Sequence, residues 1–234
     1  MDASAAQCAA AVVSEGRVLA ALSEPMGKGQ AERLAPLIQE VLAAAGLAPQ
    51  ALAGIGVCTG PGNFTGVRIG VAAARGLALG IGRPSVGVPR LQALAEGAGR
   101  AGASGPVLAL AGARRDERHA QAYELAAGPD GPVARPLGEA VQAPLAELPA
   151  LFAEAGAACV RGPGAAETAA ALGACALDET DLPDPVDVAR IAARMFAALP
   201  AGASLPRPAP IYPRPPEADP PSETPPPLLD GAAG

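Results

Sequence analysis

A glycine-rich loop, GPGNFTG at 60–66, lies between an apolar run, AGIGVCT at 53–59, and a helical pattern from about Phe64 to Leu79. Strand, loop and helix in this order predict an α/β layer. Glycines allow close backbone approach, and the first free N–H groups of a helix attract anions. Two interpretations stay open: a phosphate site, or a tight turn with Asn63 as helix N-cap.

The loop lacks the two best-known nucleotide motifs. No Lys-Ser/Thr pair follows Gly66, so it is not a Walker A loop. Thr65 stands where G-x-G-x-x-G requires its third glycine. Taken alone, the loop is therefore a weak phosphate motif.

The segments before the loop predict a hairpin and a helix. Residues 8–23 contain two apolar runs around a turn in which Gly16 supplies the positive φ. Apolar residues then recur at helical spacing over 34–45, and Gly46 is placed to end that helix. With the strand and helix around the glycine-rich loop, these elements form a first α/β lobe.

A second set of elements follows from Pro106. VLALAGARRDERHAQAYEL predicts two strands around a charged turn, and the last helix begins with Asp184 as its cap. The run EGAGRAGASGP is a poor helix or strand former and marks the division. We expect an N-terminal lobe at 1–97, a reduced C-terminal lobe at 98–205 and a Pro-rich, mostly disordered tail at 206–234.

Composition excludes several classes of function. The 234 residues carry a net charge of −6 and only two Tyr, three Phe and no Trp, which disfavours a nucleic-acid coat or a base-stacking platform. The single histidine, His119, excludes a paired-histidine metal site, and no G-x-S-x-G elbow accompanies it. Four cysteines without a C-x-x-C pair predict reduced thiols. We expect no catalytic residue and no metal site.

The N-terminus and the longest apolar run indicate where in the cell the protein is expected. MDASAAQCAAAVV lacks the basic region of a signal peptide, and the run at 66–82 is interrupted by Arg68 and Arg75. The sequence therefore predicts a cytoplasmic protein that does not bind a membrane.

The helix after the loop has one face almost without side chains. Gly66, Gly70, Ala74 and Ala78 recur at spacing four, and small residues let another helix approach closely. A partner's helix and packing inside the same lobe explain this face equally well.

Several stretches together resemble the TsaB (YeaZ) family, a subunit of the bacterial machinery that makes threonylcarbamoyladenosine on tRNA. The most specific covers 54–95, GIGVCTGPGNFTGVRIGVAAARGLALGIGRPSVGVPRLQALA. Supporting matches are DAS at 2–4, SEPMGKGQAERLAPLIQEVL at 23–42, RRDE at 114–117 and PIYPRPPEA at 210–218. The resemblance is strong over about 2–95 and thin over 125–205.

The resemblance implies an actin/Hsp70/sugar-kinase-like fold of two RNase-H-like lobes, the second reduced. It implies a non-catalytic scaffold for a TsaD-like catalytic subunit, with a TsaE-like ATPase in the complex and tRNA reached only through that complex. It also implies a helical bundle formed with TsaD, or with a second copy as a homodimer. No cofactor of its own is expected, and ATP or ADP would lie at the complex interface.

Three departures from the family pattern stand out. Gln30 replaces a frequent histidine, and Gly112 replaces a frequent aspartate of the second lobe, which disfavours nucleotide hydrolysis. In the family an apolar strand precedes the D-T/A-S motif, which here begins at Asp2. That strand would lie mid-sheet, between the hairpin and the 53–59 strand, so we expect the reading frame upstream of Met1 to encode a short apolar run.

These observations define two sets of candidate residues. The predicted partner interface comprises Leu34, Ile38, Gly66, Val67, Gly70, Val71, Ala74 and Arg75. The candidate nucleotide or phosphate residues are Asp2, Ser4, Gly60, Gly62 and Asn63. Two rival functions stay open: an ATP-dependent kinase or ATPase built on the second set, and an RNA-binding module built on the arginines of 68–90.

Overall fold

The computed structural model describes residues 1–200 and 205–212. The first elements in chain order are β1 (Gln7–Ser14), β2 (Arg17–Pro25), α1 (Gln30–Ala44), β3 (Ile55–Cys58), α2 (Phe64–Ile81), β4 (Ser85–Val88) and α3 (Arg90–Arg100). They are followed by β5 (Pro106–Gly112), β6 (Glu117–Gly128), β7 (Gly131–Pro136), β8 (Val141–Pro144), α4 (Leu148–Leu151), β9 (Cys159–Arg161), α5 (Ala165–Leu172), β10 (Cys175–Ala176) and α6 (Pro185–Ala197).

The hairpin and the caps form where local chemistry predicts them. Gly16 has a φ of 76° in the turn between β1 and β2. The Asp184 carboxylate accepts a hydrogen bond of 2.8 Å from the N–H of Val186 and caps α6, which begins at Pro185. Both features depend on neighbours in sequence, and both are confirmed.

The first sheet consists of two halves joined by the N-terminal residues. Strands β1 and β2 pair antiparallel, and β3 and β4 pair parallel. Asp2 exchanges two backbone hydrogen bonds with Ala9 of β1, at 2.8 and 2.9 Å. On its other side, the carbonyl of Met1 accepts from the N–H of Cys58 in β3 at 3.0 Å. A few residues at the N-terminus therefore bridge the hairpin and the parallel pair.

The second sheet has the strand order β10-β9-β5-β6-β7, with β8 also pairing β6. Helix α3 packs on this sheet through Leu91 and Leu94, which share a cluster with Tyr123. Helix α6 packs back on the first sheet, where Val188 and Ile191 join a cluster with strands β3 and β4.

This packing divides the chain differently from the predicted lobe boundary at residue 97. Helix α3 runs through 97 to Arg100 and belongs with the second sheet, while α6 belongs with the first. The boundary was placed on glycine-rich composition, but Gly97 and Gly99 lie inside α3, next to Arg161 and Pro132 respectively. Glycine here serves close packing and does not mark a linker.

Helix α2 is long and apolar enough to cross a membrane by length and composition alone, with a mean hydropathy of 1.3 over 18 residues. In this fold its buried face packs against β3 and the N-terminal residues. Within that window, 33% is buried inside the protein.

The described part of the predicted tail is ordered. Residues 205–212 run beside β3 and β4, and the N–H of Ile211 donates to the carbonyl of Thr59 at 2.9 Å. Residues 206–212 of the predicted, mostly disordered tail therefore lie against the first sheet. The remainder of the tail, 213–234, lies outside the described residues.

Candidate functional site

The loop between β3 and α2 is a closely packed turn. The side-chain oxygen of Asn63 accepts from the N–H groups of Thr65 and Gly66, at 3.0 Å each. A side chain on Gly62 would collide with the carbonyl oxygen of Ser4. The helix N-terminus that would bind an anion is therefore capped by its own chain, as the turn interpretation predicts.

The carboxylate of Asp2 is buried and its acceptor sites are used within the chain. One oxygen accepts from the N–H and the hydroxyl of Ser4, at 2.8 and 2.6 Å. The other accepts from the side chain of Gln7 at 2.8 Å, which also donates to the carbonyl of Pro183. Asp2 is fully buried, so this carboxylate holds the N-terminal turn together.

The five residues predicted for a nucleotide or phosphate site make contacts within the chain. Asp2, Ser4 and Gly60 are buried, Gly62 is pressed against Ser4, and Asn63 caps α2. The sequence brings all five together, but as structural contacts of a turn. The neighbouring Cys58 thiol is likewise unreactive in this setting, because burial raises its pKa to about 12.

Arg90, an arginine of the rival RNA-binding hypothesis, lies in the interior. It counted among the arginines of an RNA-binding face, but only 3% of its side chain is exposed. Its guanidinium donates to the carbonyl of Pro61 at 3.2 Å and pairs with the carboxylate of Asp181 at 2.8 Å. No local pattern around VPRLQ distinguishes a buried arginine from a surface one.

Asp181 completes this bridge from the side of the second sheet. Its Oδ2 atom accepts from the N–H of Gly112 at 3.0 Å, at the position where the family resemblance expects an aspartate. A Cβ on Gly112 would lie 3.2 Å from the same oxygen. The carboxylate of Asp181 therefore occupies the space that a side chain at 112 would need, and Arg90 neutralises it.

The predicted partner interface is mostly interior. Leu34, Gly66, Val67, Gly70, Val71 and Ala74 are buried within the lobe. A Cβ on Gly66 would collide with the carbonyl of Ala3, and one on Gly70 would lie 3.4 Å from Val57. The small-residue face thus accommodates β3 and the N-terminal residues, which corrects the prediction of a partner's helix there. Ile38 is half-buried and Arg75 is exposed.

The opposite face of α2 is exposed and partly apolar. Leu79 is 86% exposed and Phe64 is 54% exposed, at the two ends of the helix. Between them lie Arg68, Ala72 and Arg75, at helical spacing and also exposed. We call these five residues the α2 stripe.

One end of the α2 stripe is rigid. The Arg68 guanidinium lies 3.6 Å from the centroid of the Phe64 ring and donates to the hydroxyl of Tyr212 at 2.9 Å. The Tyr212 ring lies 5.6 Å from the Phe64 ring. Stacking and the hydrogen bond fix these three side chains at the surface without burying them.

Catalytic groups are sparse over 1–200 and 205–212. No group of three His, Cys, Asp or Glu side chains there could hold a metal ion. His119 is buried in β6, and burial next to Arg90 lowers its pKa to about 4. It is therefore neutral at pH 7, and its buried Nδ1 atom has no hydrogen-bond partner within the described part of the chain.

Comparison with known proteins bears on the class of this fold. The family model described as "TsaD: tRNA N6-adenosine threonylcarbamoyltransferase" matches residues 24–146. A crystal structure described as an uncharacterized protein with similarity to peptidase YEAZ from Pseudomonas aeruginosa superposes with a TM-score of 0.78 and 30% identity, covering 91% of this chain and 97% of that one. YeaZ from Pseudomonas aeruginosa gives 0.72 and 29%, covering 90% and 96%.

Two curated relatives carry the same family name. The tRNA threonylcarbamoyladenosine biosynthesis protein TsaB of Escherichia coli is 35% identical over 124 residues, 53% of each chain. That of Bacillus subtilis is 38% identical over 85 residues, 36% of this chain and 37% of the relative. The match to the Escherichia coli protein spans about half of its length.

These findings define an α/β protein of the actin-like class with two lobes, in which the six-stranded sheet of the second half is mixed. Within that class the chain belongs to the TsaB family, also called YeaZ.

Proposed function

We propose that this chain acts in the biosynthesis of threonylcarbamoyladenosine on tRNA, as a non-catalytic subunit that binds a TsaD-type catalytic subunit. The names of the Escherichia coli and Bacillus subtilis relatives support the pathway. Within this proposal a TsaE-like ATPase joins the complex, and tRNA is reached only through it.

The non-catalytic role is supported by one observation: the polar groups in and around the glycine-rich loop form hydrogen bonds and ion pairs within the chain. Asp2 accepts from Ser4 and Gln7, Asn63 caps α2, and Arg90 is paired with Asp181. A phosphate would have to displace several of these buried contacts, each of which costs about 1–3 kcal/mol when broken. These contacts disfavour nucleotide binding at this loop.

The α2 stripe is the surface that we propose binds the catalytic subunit. An exposed leucine at 86% and a phenylalanine fixed by Arg68 provide apolar anchors on one helix face. Arg75 lies between them and supplies a cation for an acidic partner. A few large side chains that lose their solvent on binding usually dominate the binding energy of an interface. A second copy of the chain would compete for the same stripe as a homodimer.

Titration of the TsaD-type subunit with Leu79→Glu tests this assignment. A charge at a desolvated anchor should weaken binding by at least about tenfold, which corresponds to about 1.4 kcal/mol. Leu151→Glu is the matched control, because Leu151 is 55% exposed on α4, in the other half of the molecule. Equal affinities for the two variants would contradict the proposed interface.

A test of the rival ATPase function needs a control variant that keeps the fold. Gly62→Asp would collide with Ser4 and abolish the turn, so its inactivity would be uninformative. Asn63→Ala is preferable, because it removes only the cap of α2. Turnover of ATP by the purified chain that falls in Asn63→Ala, with the fold retained, would contradict the non-catalytic role. We expect no turnover in either protein.

A further inference from the structure

Two cysteines face each other across neighbouring strands at one edge of the second sheet. Cys159 in β9 and Cys175 in β10 are direct partners in the parallel register. The N–H of Cys175 donates to the carbonyl of Ala158 at 2.8 Å. Two residues further along, the N–H of Leu177 donates to the carbonyl of Val160 at 2.9 Å. Hydrogen bonds on both sides of the pair therefore hold the two cysteines in register.

The spacing of this pair suits a disulfide. Both cysteines carry free thiols in this structure. Neighbouring strands lie about 4.8 Å apart, and a disulfide requires its two Cα atoms at roughly 4.4–6.8 Å. The thiols are also close enough to influence each other, since burial and then the adjacent Cys175 thiol raise the pKa of Cys159. The two sulfur atoms can therefore be joined without a shift of strand register.

The two thiols differ in their access to solvent. Cys159 is 9% exposed and packs against Ala98 of α3 and Val107 of β5. Cys175 is exposed at the end of the strand order, and its thiol donates a weak hydrogen bond of 3.6 Å to the carbonyl of Ala176. An oxidant from solvent therefore reaches Cys175 first, and Cys159 lies behind it as the second thiol.

The other two cysteines are placed differently. Cys8 lies opposite Glu24 in the hairpin, and Cys58 lies opposite Val88 in the parallel pair. Both are buried, and burial raises the pKa of Cys8 to about 11 and that of Cys58 to about 12. Thiols that are enclosed and protonated react slowly with oxidants, so these two serve as internal controls.

We propose that Cys159 and Cys175 form a reversible redox site, in which hydrogen peroxide converts the two thiols into one disulfide. The Cys175 sulfur attacks a peroxide oxygen, the O–O bond breaks, and a sulfenic acid and one water are formed. The Cys159 sulfur then attacks the Cys175 sulfur, so that the S–S bond forms and the S–O bond breaks. The leaving hydroxide takes the Cys159 proton as a second water. A dithiol reductant returns both cysteines to thiols.

The disulfide fixes a segment that connects the two halves of the molecule. Strand β10 is two residues long, and the chain after it carries Asp181, which pairs with Arg90. A covalent link at Cys175 anchors this segment to β9 independently of that ion pair. It also closes the loop 159–175 in the unfolded chain, which lowers the entropy of that state. The oxidised form is therefore expected to be more stable than the reduced form.

Treatment of the purified full chain with hydrogen peroxide tests the site. We expect the loss of the mass of two hydrogen atoms, a cross-linked peptide pair that contains Cys159 and Cys175, and reversal by dithiothreitol. The melting temperature should rise by at least about 3 °C. Cys175→Ser should show none of these changes, whereas the matched control Cys8→Ala should show them all.

Three results would overturn the proposal. Cys175 could be oxidised to a sulfinic acid while Cys159 stays a thiol, which would show two independent thiols. A disulfide that joins Cys175 of two copies would show a contact between chains instead of a pair within one chain. Equal melting temperatures of the oxidised and reduced forms would contradict the anchoring of β10.

Alkylation of thiols in the native cells tests whether the site is used there. Label added under denaturing conditions should modify Cys159 and Cys175 before exposure to peroxide, and neither of them after it. Cys8 and Cys58 should be labelled equally in both samples. Unchanged labelling of Cys159 and Cys175 after exposure would overturn a redox role in the cell.

Discussion

The guanidinium of Arg90 lies 2.8 Å from the carboxylate of Asp181, 91 positions further along the chain. Arg90 is the first residue of α3, and its N–H donates to the carbonyl of Gly60 at 2.7 Å. Asp181 precedes α6 and also accepts from Gly112 at the end of β5. A single ion pair thus ties the glycine-rich loop to both sheets.

Removal of Arg90 should destabilise the whole fold. Arg90→Ala leaves Asp181 without its cation and the carbonyl of Pro61 without its donor, which we expect to cost about 3 kcal/mol. The melting temperature should fall by roughly 6–12 °C. Arg83→Ala is the control, because Arg83 is exposed near the end of α2 and surface changes stay within about 0.5 kcal/mol. A normal melting curve for Arg90→Ala would contradict this role.

Two glycines of α2 should respond oppositely to the same substitution. Gly70→Arg forces a long cation into the contact with Val57 and should destabilise the isolated chain by at least about 2 kcal/mol. Gly76→Arg places the side chain where nothing lies within 4 Å, and should raise stability by up to about 1 kcal/mol. Urea unfolding of both variants measures the difference. If the Gly70→Arg variant is as stable as the original protein, the small-residue face does not pack within the lobe and is again a candidate for the partner interface.

His119 should make the fold sensitive to acid. Its pKa is about 4 in the folded chain, below the ordinary value of 6.5, because burial next to Arg90 disfavours the imidazolium. The unfolded chain therefore binds more protons between these values, and stability falls as pH drops from about 6.5 to about 4. The loss due to this group is about 2–3 kcal/mol at pH 4.5.

Replacement of His119 by glutamine isolates that contribution. Urea unfolding at pH 7 and pH 4.5 measures how much unfolding free energy each protein loses on acidification. We predict a smaller loss for His119→Gln than for the original protein. Carboxylate protonation affects both proteins alike and cancels in the comparison. An equal loss in the two proteins would exclude His119 as the source.

The C-terminal segment should divide into a part that stabilises and a part that does not. Truncation after residue 218 removes DPPSETPPPLLDGAAG at 219–234, and should leave the melting temperature unchanged because so few apolar residues are lost. Truncation after 204 also removes the bonds of Ile211 to Thr59 and of Tyr212 to Arg68, and should lower it by several degrees. Equal melting curves for the two truncations would contradict a docked 205–212 segment.

Local patterns in the sequence determined much of the fold. The hairpin around Gly16, the helix after the glycine-rich loop and the Asp184 cap of α6 all depend on residues within a few positions of each other. Such features follow from backbone preferences and capping bonds, so composition and spacing suffice to predict them. The actin-like fold class, by contrast, was implied by the resemblance of residues 54–95 to the TsaB family.

Only the tertiary structure decided which face of α2 is interior and how the two halves of the chain meet. The spacing of Gly66 and Gly70 shows that something approaches closely, but not whether it is a partner or Ala3 of the same chain. Arg90 and Asp181 meet through contacts between elements far apart in sequence, and no local preference encodes that pairing. Contacts between residues far apart in sequence depend on how the whole core packs. Local sequence patterns do not contain that information, so these contacts are known only from the structure.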